Sequence, residues 1–239
     1  MAAAVAVVAL GVGLAAGMLL ANHALRAGFA RSVGALAGRA ELTVRPYADG
    51  TVDQDLLERI VAVPGVAAAV PVLTTTAVID GDEATSLQLV GVDLLDDATV
   101  RVYRSTPGEA AGIEDPLVFL NQPGSAIAPR SLLERHGLDR GATLAVRTAG
   151  GRHELTIRGV LEDDGVATAF GGGFLIVDLY ALQDALALPG RMSWADVAVA
   201  SGASPETVRR GLLDALPEGV RIESAADQQA IAPLQDLRV

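Results

Sequence analysis

The 239 residues carry a net charge of −11; all 18 basic residues are Arg, and Cys is absent. Without a thiol the chain has no thiolate catalysis, disulfide or Cys-ligated zinc, and without a Lys it has neither a P-loop lysine nor Schiff-base chemistry of its own. An acidic surface is not the footprint of a nucleic-acid binder, and anionic headgroups repel it, so the folded part is expected to stand off a membrane.

Residues 1–25, MAAAVAVVALGVGLAAGMLLANHAL, pass before the first charge, Arg26. As a helix they reach roughly 37 Å at about 1.5 Å per residue, and a bilayer core needs about 20 apolar residues. Their leucines and valines favour insertion by roughly 3 to 5 kcal/mol in sum. A cleaved signal peptide is the rival reading, but its apolar region is shorter and comes after a positive leader. A soluble helix this uniformly apolar would need protein on every side. The expectation is a transmembrane helix. Within it Gly13 and Gly17 form GxxxG, a spacing that lets two helices approach closely in lipid, although an Ala/Gly-rich segment also produces it by chance. Leu25, Phe29, Val33 and Leu36 continue one helical face, so a stalk is expected up to Gly38. Arg26, Arg31 and Arg39 after the span would, by the positive-inside rule, put the folded remainder of the chain in the cytoplasm.

The remaining 200 or so residues suit one sizeable domain or two small ones. AELTVRP alternates as a strand. TVDQDLLERIVAV places Leu56, Leu57 and Ile60 on one helical face, ended by Pro64-Gly65. VAAAVPVLTTTAVID is extended, with Pro71 marking an edge or a bulge. DGDE turns the chain into the strand TSLQLVGVD, so residues 40–93 read β-α-β-β. Residues 94–116 read as loop and LVFL as a short strand. SAIAPRSLLERHGLDRGATLAV reads strand end, helix, Gly stop, turn, strand, and GGRHELTIRGVLED returns as a hairpin. AFGGGFLIVD leads to a strand, and LYALQDALAL is a helix closed by Pro189-Gly190. WADVAVA, SPETVRRGLLDAL and GVRIES form a last β-α-β, its helix opened by Ser204 and Pro205. The fold class is α+β with two lobes: residues 39–111 and 190–223 as one α+β sheet layer, and residues 112–189 as a strand-rich insertion. Residues 224–239 begin a helix.

Reactive constellations are sparse. His23, His136 and His153 lack metal-ligand spacing, and His136 suits a helix C-terminus as a cation. Asp80-Gly81-Asp82-Glu83, Asp96-Asp97 and Glu162-Asp163-Asp164 lack the alternating carboxylates and distal Glu of a calcium loop. Gly171-Gly172-Gly173 precedes a strand rather than the helix start an anion cradle needs. No G-x-S-x-G elbow is present. No enzyme activity, catalytic residue, metal or cofactor is expected.

Three stretches together resemble the extracytoplasmic core domain of FtsX/MacB-type ABC transporter permeases. They are FARSVGALAGRAELTV, then VPGVAAAVPVL with LQLVGVD, and AIAPRSLLERHGLDRGATLAVRTAGGRHELTIRGVLED. The family's helix, Leu-Gly-x-x-x-Gly-Asp/Ala-x-Leu, hairpin, Val-x-Gly run stands here as His136-Gly137-Leu138-Asp139-Arg140-Gly141-Ala142-Thr143-Leu144 and Ile157-Arg158-Gly159-Val160. The resemblance runs from the span to residue 223. It implies residues 1–38 as transmembrane helix and stalk, 39–223 as a two-lobed extracytoplasmic domain and 224–239 as the approach to a second span. The location it implies is a bacterial inner membrane with the domain outside the cytoplasm, against the arginine count. The partners implied are a cytoplasmic ABC ATPase, other transmembrane helices or a second permease copy, and a protein or lipoprotein substrate. The chain is then expected to be a fragment or a truncated permease. The alternative is a membrane-anchored binding or regulatory module that transports nothing.

Overall fold

The computed structural model describes residues 40–48, 50–93, 122, 124–161 and 173–224. Alternation sets the first strand, β1 (Ala40–Pro46): Leu42 and Val44 enter a core, so Thr43 and Arg45 fall on the other face. Next in the chain are β2 (Val52–Asp53), α1 (Leu56–Val61), β3 (Val66–Ile79), β4 (Asp82–Val92), β5 (Ser125–Pro129), α2 (Arg130–His136), β6 (Thr143–Thr148) and β7 (Gly151–Leu161). The order continues with β8 (Phe174–Asp178), α3 (Leu179–Ala185), β9 (Arg191–Met192), β10 (Trp194–Val199), α4 (Pro205–Ala215) and β11 (Val220–Ser224).

Nine strands form one sheet in the order β11-β1-β10-β3-β4-β8-β5-β7-β6, and β2 pairs with β9 as a separate ribbon. The first four strands interleave two split β-α-β units, β1-α1-β3 and β10-α4-β11, all neighbours antiparallel. This is a ferredoxin-like sheet. The rest closes on itself: β3 pairs with β4 and also with β6, through Val78 opposite Arg147 and Ile79 opposite Val146. Strands β3-β4-β8-β5-β7-β6 therefore make a barrel, which removes the free edge that β6 would otherwise present. The mixed α+β class expected from the sequence is the class observed.

Two cores lie on this one sheet. The first gathers Leu42, Val44, Ile60, Val63, Ala69, Ala195, Val197, Val208 and Leu212 beneath α1 and α4. The second gathers Leu73, Ala77, Leu87, Leu89, Val146, Ile157 and Leu175, with Leu132 and Leu133 of α2 and Leu179 and Leu182 of α3. β3 serves both. At 14 residues it spans on the order of 45 Å; Val66–Val72 pair with β10 and Val72–Ile79 with β4. Leu73–Val92, grouped from the sequence with the first lobe, thus pack into the second core. Pro71 lies neither on an edge strand nor at a register shift; it is buried, opposite Ala195. Ser193 donates to the Val72 carbonyl, so Val72 faces β10 and Pro71's ring nitrogen faces the other way. There the β4 ladder ends at Val92 opposite Val72, and the missing N–H costs no bond.

α2 ends as expected at Gly137, which is left-handed at φ 61°. α3 ends earlier than LYALQDALAL suggested, at Ala185. Ala187 takes a left-handed φ of 53°, and Ala187 and Leu188 donate to the carbonyls of Asp184 and Gln183, a Schellman closure built on Ala rather than Gly. Neither the two-residue β2, within the stretch read as helix, nor its partner β9, between Pro189-Gly190 and WADVAVA, was anticipated. The predicted loop over 94–116, the LVFL strand, the N-terminal helix with its stalk and the segment after Ser224 lie outside the described residues. Among the described residues no helix is long and apolar enough to cross a membrane.

Candidate functional site

The joint between the two cores is built where the chain leaves α3 and re-enters the first lobe. One turn of α3 turns Leu179 and Leu182 into the second core; Gln183, 4 % exposed, faces the joint. Its amide donates to Gln54 Oε1 at 2.8 Å and to the Arg191 carbonyl at 2.9 Å. Arg191 Nε donates to Thr51 Oγ1 at 3.0 Å, and the Gln54 N–H donates to the Gly190 carbonyl at 2.8 Å. Gln54 also reaches the Tyr180 hydroxyl, which donates to Asp93 Oδ2 at 3.2 Å. Desolvation, with the Asp93 carboxylate beside it, raises the Tyr180 pKa. Ser193 completes the joint, its Oγ accepting from the Thr74 N–H at 3.0 Å. The β2–β9 ribbon, Val52 opposite Met192 and Asp53 opposite Arg191, holds this cluster on the first core, where Met192 is fully buried. α3 lies directly on β4: a Cβ on Gly91 would come within 3.0 Å of Leu182 Cδ2 and 3.3 Å of Leu179 Cα.

A second polar arrangement occupies the face of the first-lobe sheet away from α1 and α4. Register sets one row of a grid, Glu223–Thr43–Asp196, across β11, β1 and β10, and pairs Arg45 with Arg221 in the next, where Arg45 also lies against Trp194 of β10. Asp196 is 1 % exposed; Thr43 Oγ1 donates to its Oδ1 at 3.1 Å, and its Oδ2 has no partner in hydrogen-bonding geometry. Burial pushes the Asp196 carboxyl up to about 6, opposed by the Trp194 indole, the Thr43 hydroxyl and the Arg45 charge. Arg45 lies 5.3 Å from the Trp194 ring centroid and 3.4 Å from Glu223 Oε2 through Nε. Burial lowers its pKa, with the Glu223 charge working against that.

The residues singled out in the sequence do not converge. Gly13, Gly17, His23, Asp96-Asp97, Glu162-Asp163-Asp164 and Gly171-Gly172 lie outside the described residues. His136 sits in the last turn of α2, with Nε2 buried and unpartnered, and His153 Nε2 lies 3.1 Å from Thr148 Oγ1 on the β6–β7 hairpin. Asp80 is committed to two cations, Arg147 at 2.5 Å and Arg152 at 2.7 Å, whose hydrogen bonds, Arg152's first, lower its pKa. That arrangement clamps the barrel's β3–β6 seam and disfavours a metal cation there. Gly173 runs directly into β8 and its carbonyl accepts from the Gln88 N–H at 2.9 Å. The joint and the grid were not singled out from the sequence. A signal for the grid was present: WADVAV carries a lone Asp in an otherwise apolar strand, and such a group is either at an end or buried with partners. Gln54 and Gln183, 129 residues apart, gave none.

Comparison with known proteins bears on this architecture. Residues 1–215 match the model of the MacB-like periplasmic core domain. An uncharacterised ABC transporter permease of Mycobacterium tuberculosis is 25% identical over 145 residues, 60% of this chain and 16% of that protein. This chain thus aligns with under a fifth of that relative's length. The periplasmic region of MacB from Actinobacillus actinomycetemcomitans superposes with a TM-score of 0.55 at 10% identity, covering 84% of this chain and 96% of that one. The extracellular domain of YknZ, described as a noncanonic ABC-type transporter of Gram-positive bacteria, superposes at 0.52 with 17% identity, covering 77% and 99%. These two likenesses carry the fold.

Proposed function

The chain belongs to the MacB-like periplasmic core domain family, and from that premise we propose that it is the extracytoplasmic part of an ABC transporter permease. In this reading residues 1–25 cross the bacterial inner membrane as a helix, packed on sister helices or a second permease copy through Gly13 and Gly17. Residues 26–38 are the stalk, and residues 39–223 form the domain outside the cytoplasm. A separate cytoplasmic ATPase supplies the nucleotide chemistry for which this chain has no lysine. Its displacement passes through the stalk into β1, across the shared sheet and into the barrel lobe, where a protein or lipoprotein substrate is handled. The observation that supports coupling is the long strand β3: it belongs to both cores, so the lobes share a rigid element. The hydrogen-bonded joint of Gln54, Tyr180, Gln183 and Arg191 limits how one lobe turns against the other.

These 239 residues contain no cysteine, so with any cysteine elsewhere in the permease replaced by serine one experiment tests this. Cysteines at Gln54 and at Tyr180, which is 50% exposed, bracket the joint. The full permease carrying both is co-expressed with its ATPase and treated with a membrane-impermeant bis-maleimide in spheroplasts. The expected result is cross-linking without lysis and ATP hydrolysis reduced several-fold. Cross-linking only after lysis would reverse the topology. Cross-linking with undiminished hydrolysis would favour the anchored module that moves nothing.

A further inference from the structure

The polar grid on the first lobe places one arginine between two carboxylates on flanking strands. Arg45 is diagonal to Glu223 on β11 and to Asp196 on β10, because Thr43 is the residue directly opposite both. We propose that Arg45 is a proton-operated switch: it pairs with Glu223 while Asp196 is protonated, and moves toward Asp196 when that carboxyl ionises, loosening edge strand β11.

Three features of the geometry support exchange rather than a fixed pair. The first is that Arg45 Nε approaches Glu223 Oε2 at 3.4 Å without hydrogen-bonding alignment, while the buried Asp196 Oδ2 is also unpartnered. Each group has unused capacity toward the other, and leaving such groups unmet in a buried place is costly. Next, Glu223 has a second cation. Arg221 Nε lies 3.0 Å from its Oε1, as an ion pair without hydrogen-bonding alignment, and its side chain is 42% exposed, so Glu223 keeps a neighbouring positive charge when Arg45 leaves. Finally, Asp196 has no other cation within reach among the described residues. On β3 Val70 is opposite it, with Ala68 and Val72 on the diagonals; its own strand offers Trp194 and Ala198; β1 offers Thr43, Arg45 and Glu41. Glu41 is like-charged, and its carboxylate accepts from the Val199 N–H at 2.8 Å. Burial moves the titration of Asp196 up to about pH 6, so the exchange falls between mildly acidic and neutral surroundings.

Trp194 is the single tryptophan of the chain and belongs to the grid, so the protein carries its own reporter. Its fluorescence in the full native chain is expected to titrate with a midpoint near pH 6, and Asp196→Asn is expected to abolish the transition. Glu223→Gln is expected to lower the midpoint by at least half a pH unit, because an arginine released from Glu223 favours ionised Asp196. Hydrogen-exchange protection of the β11 amides is expected to fall several-fold above the midpoint in the wild type alone. A flat fluorescence signal from pH 4.5 to 8 would overturn the switch. A midpoint unmoved by Glu223→Gln would overturn the exchange of partners, and this near-isosteric variant carries that test should Asp196→Asn fail to fold.

Discussion

At the scale of single residues, the chain closes two helices in the same way with different amino acids. Gly137 after α2 and Ala187 after α3 are both left-handed, and in both cases that residue's own N–H and the next one fold back onto the last turn. A Cβ on Gly137 would meet no atom within 4 Å, so only backbone strain opposes Gly137→Ala. That substitution is expected to cost about 1 kcal/mol. Ala187→Gly is expected to be neutral or to stabilise by up to about 1 kcal/mol, the relieved strain being partly offset by a more flexible unfolded chain. Urea denaturation of the two variants measures both, and the signs should differ. Asp196 makes the other residue-scale prediction. Its carboxyl is raised from 3.8 to about 6 in the folded state, so the folded protein holds this proton more tightly than the unfolded one. The stability this confers is fully present below about pH 4 and is lost as pH rises through about 6. The gap corresponds to on the order of 3 kcal/mol. Asp196→Asn should therefore gain on the wild type as pH rises across that window, a difference read from denaturation midpoints at pH 4.5 and 7.5.

At the scale of elements, close approach decides what pattern does not. The helix α3 was legible from its periodicity, and its contact with β4 was not, since it depends on Gly91 presenting no side chain beneath Leu179 and Leu182. Gly91→Val is expected to push α3 off the strand and destabilise by about 1 to 3 kcal/mol, as overpacking does. It should also raise the exchange rates of the α3 amides; unchanged α3 protection would show that the helix is held by its caps instead. The strands β1 and β11 were legible because their alternation is strict, and β10 as a short apolar run broken only by Asp196. Pro71 misled for a physical reason. Its cost depends on which side its nitrogen faces, and a single sequence does not show where a neighbouring ladder ends.

At the scale of the whole molecule, two cores on one sheet raise the question of how many units unfold. No linker separates them along β3, so Leu212→Ala in the first core and Ile157→Ala in the second are each expected to lower one common transition by about 2 to 5 kcal/mol. Trp194 fluorescence reports the first lobe and circular dichroism reports both; coincident curves are expected, and a circular dichroism transition that precedes the fluorescence change in Ile157→Ala would show independent lobes.

The α+β class, the order of the described elements apart from β2 and β9, the helix stop at Gly137 and the kinship with the periplasmic core domain were all written in local pattern: period-two strands, capped helices and a run of glycines at fixed spacing. Tertiary structure alone decided that the second half of β3 and β4 belong to the barrel, that β3 meets β6 to close it, that Gln54 meets Gln183 and that Arg45 stands between two acids. Those outcomes depend on register between strands far apart in the chain. Register is set by the summed burial of many side chains on both faces of a sheet, and no short window of residues contains that sum.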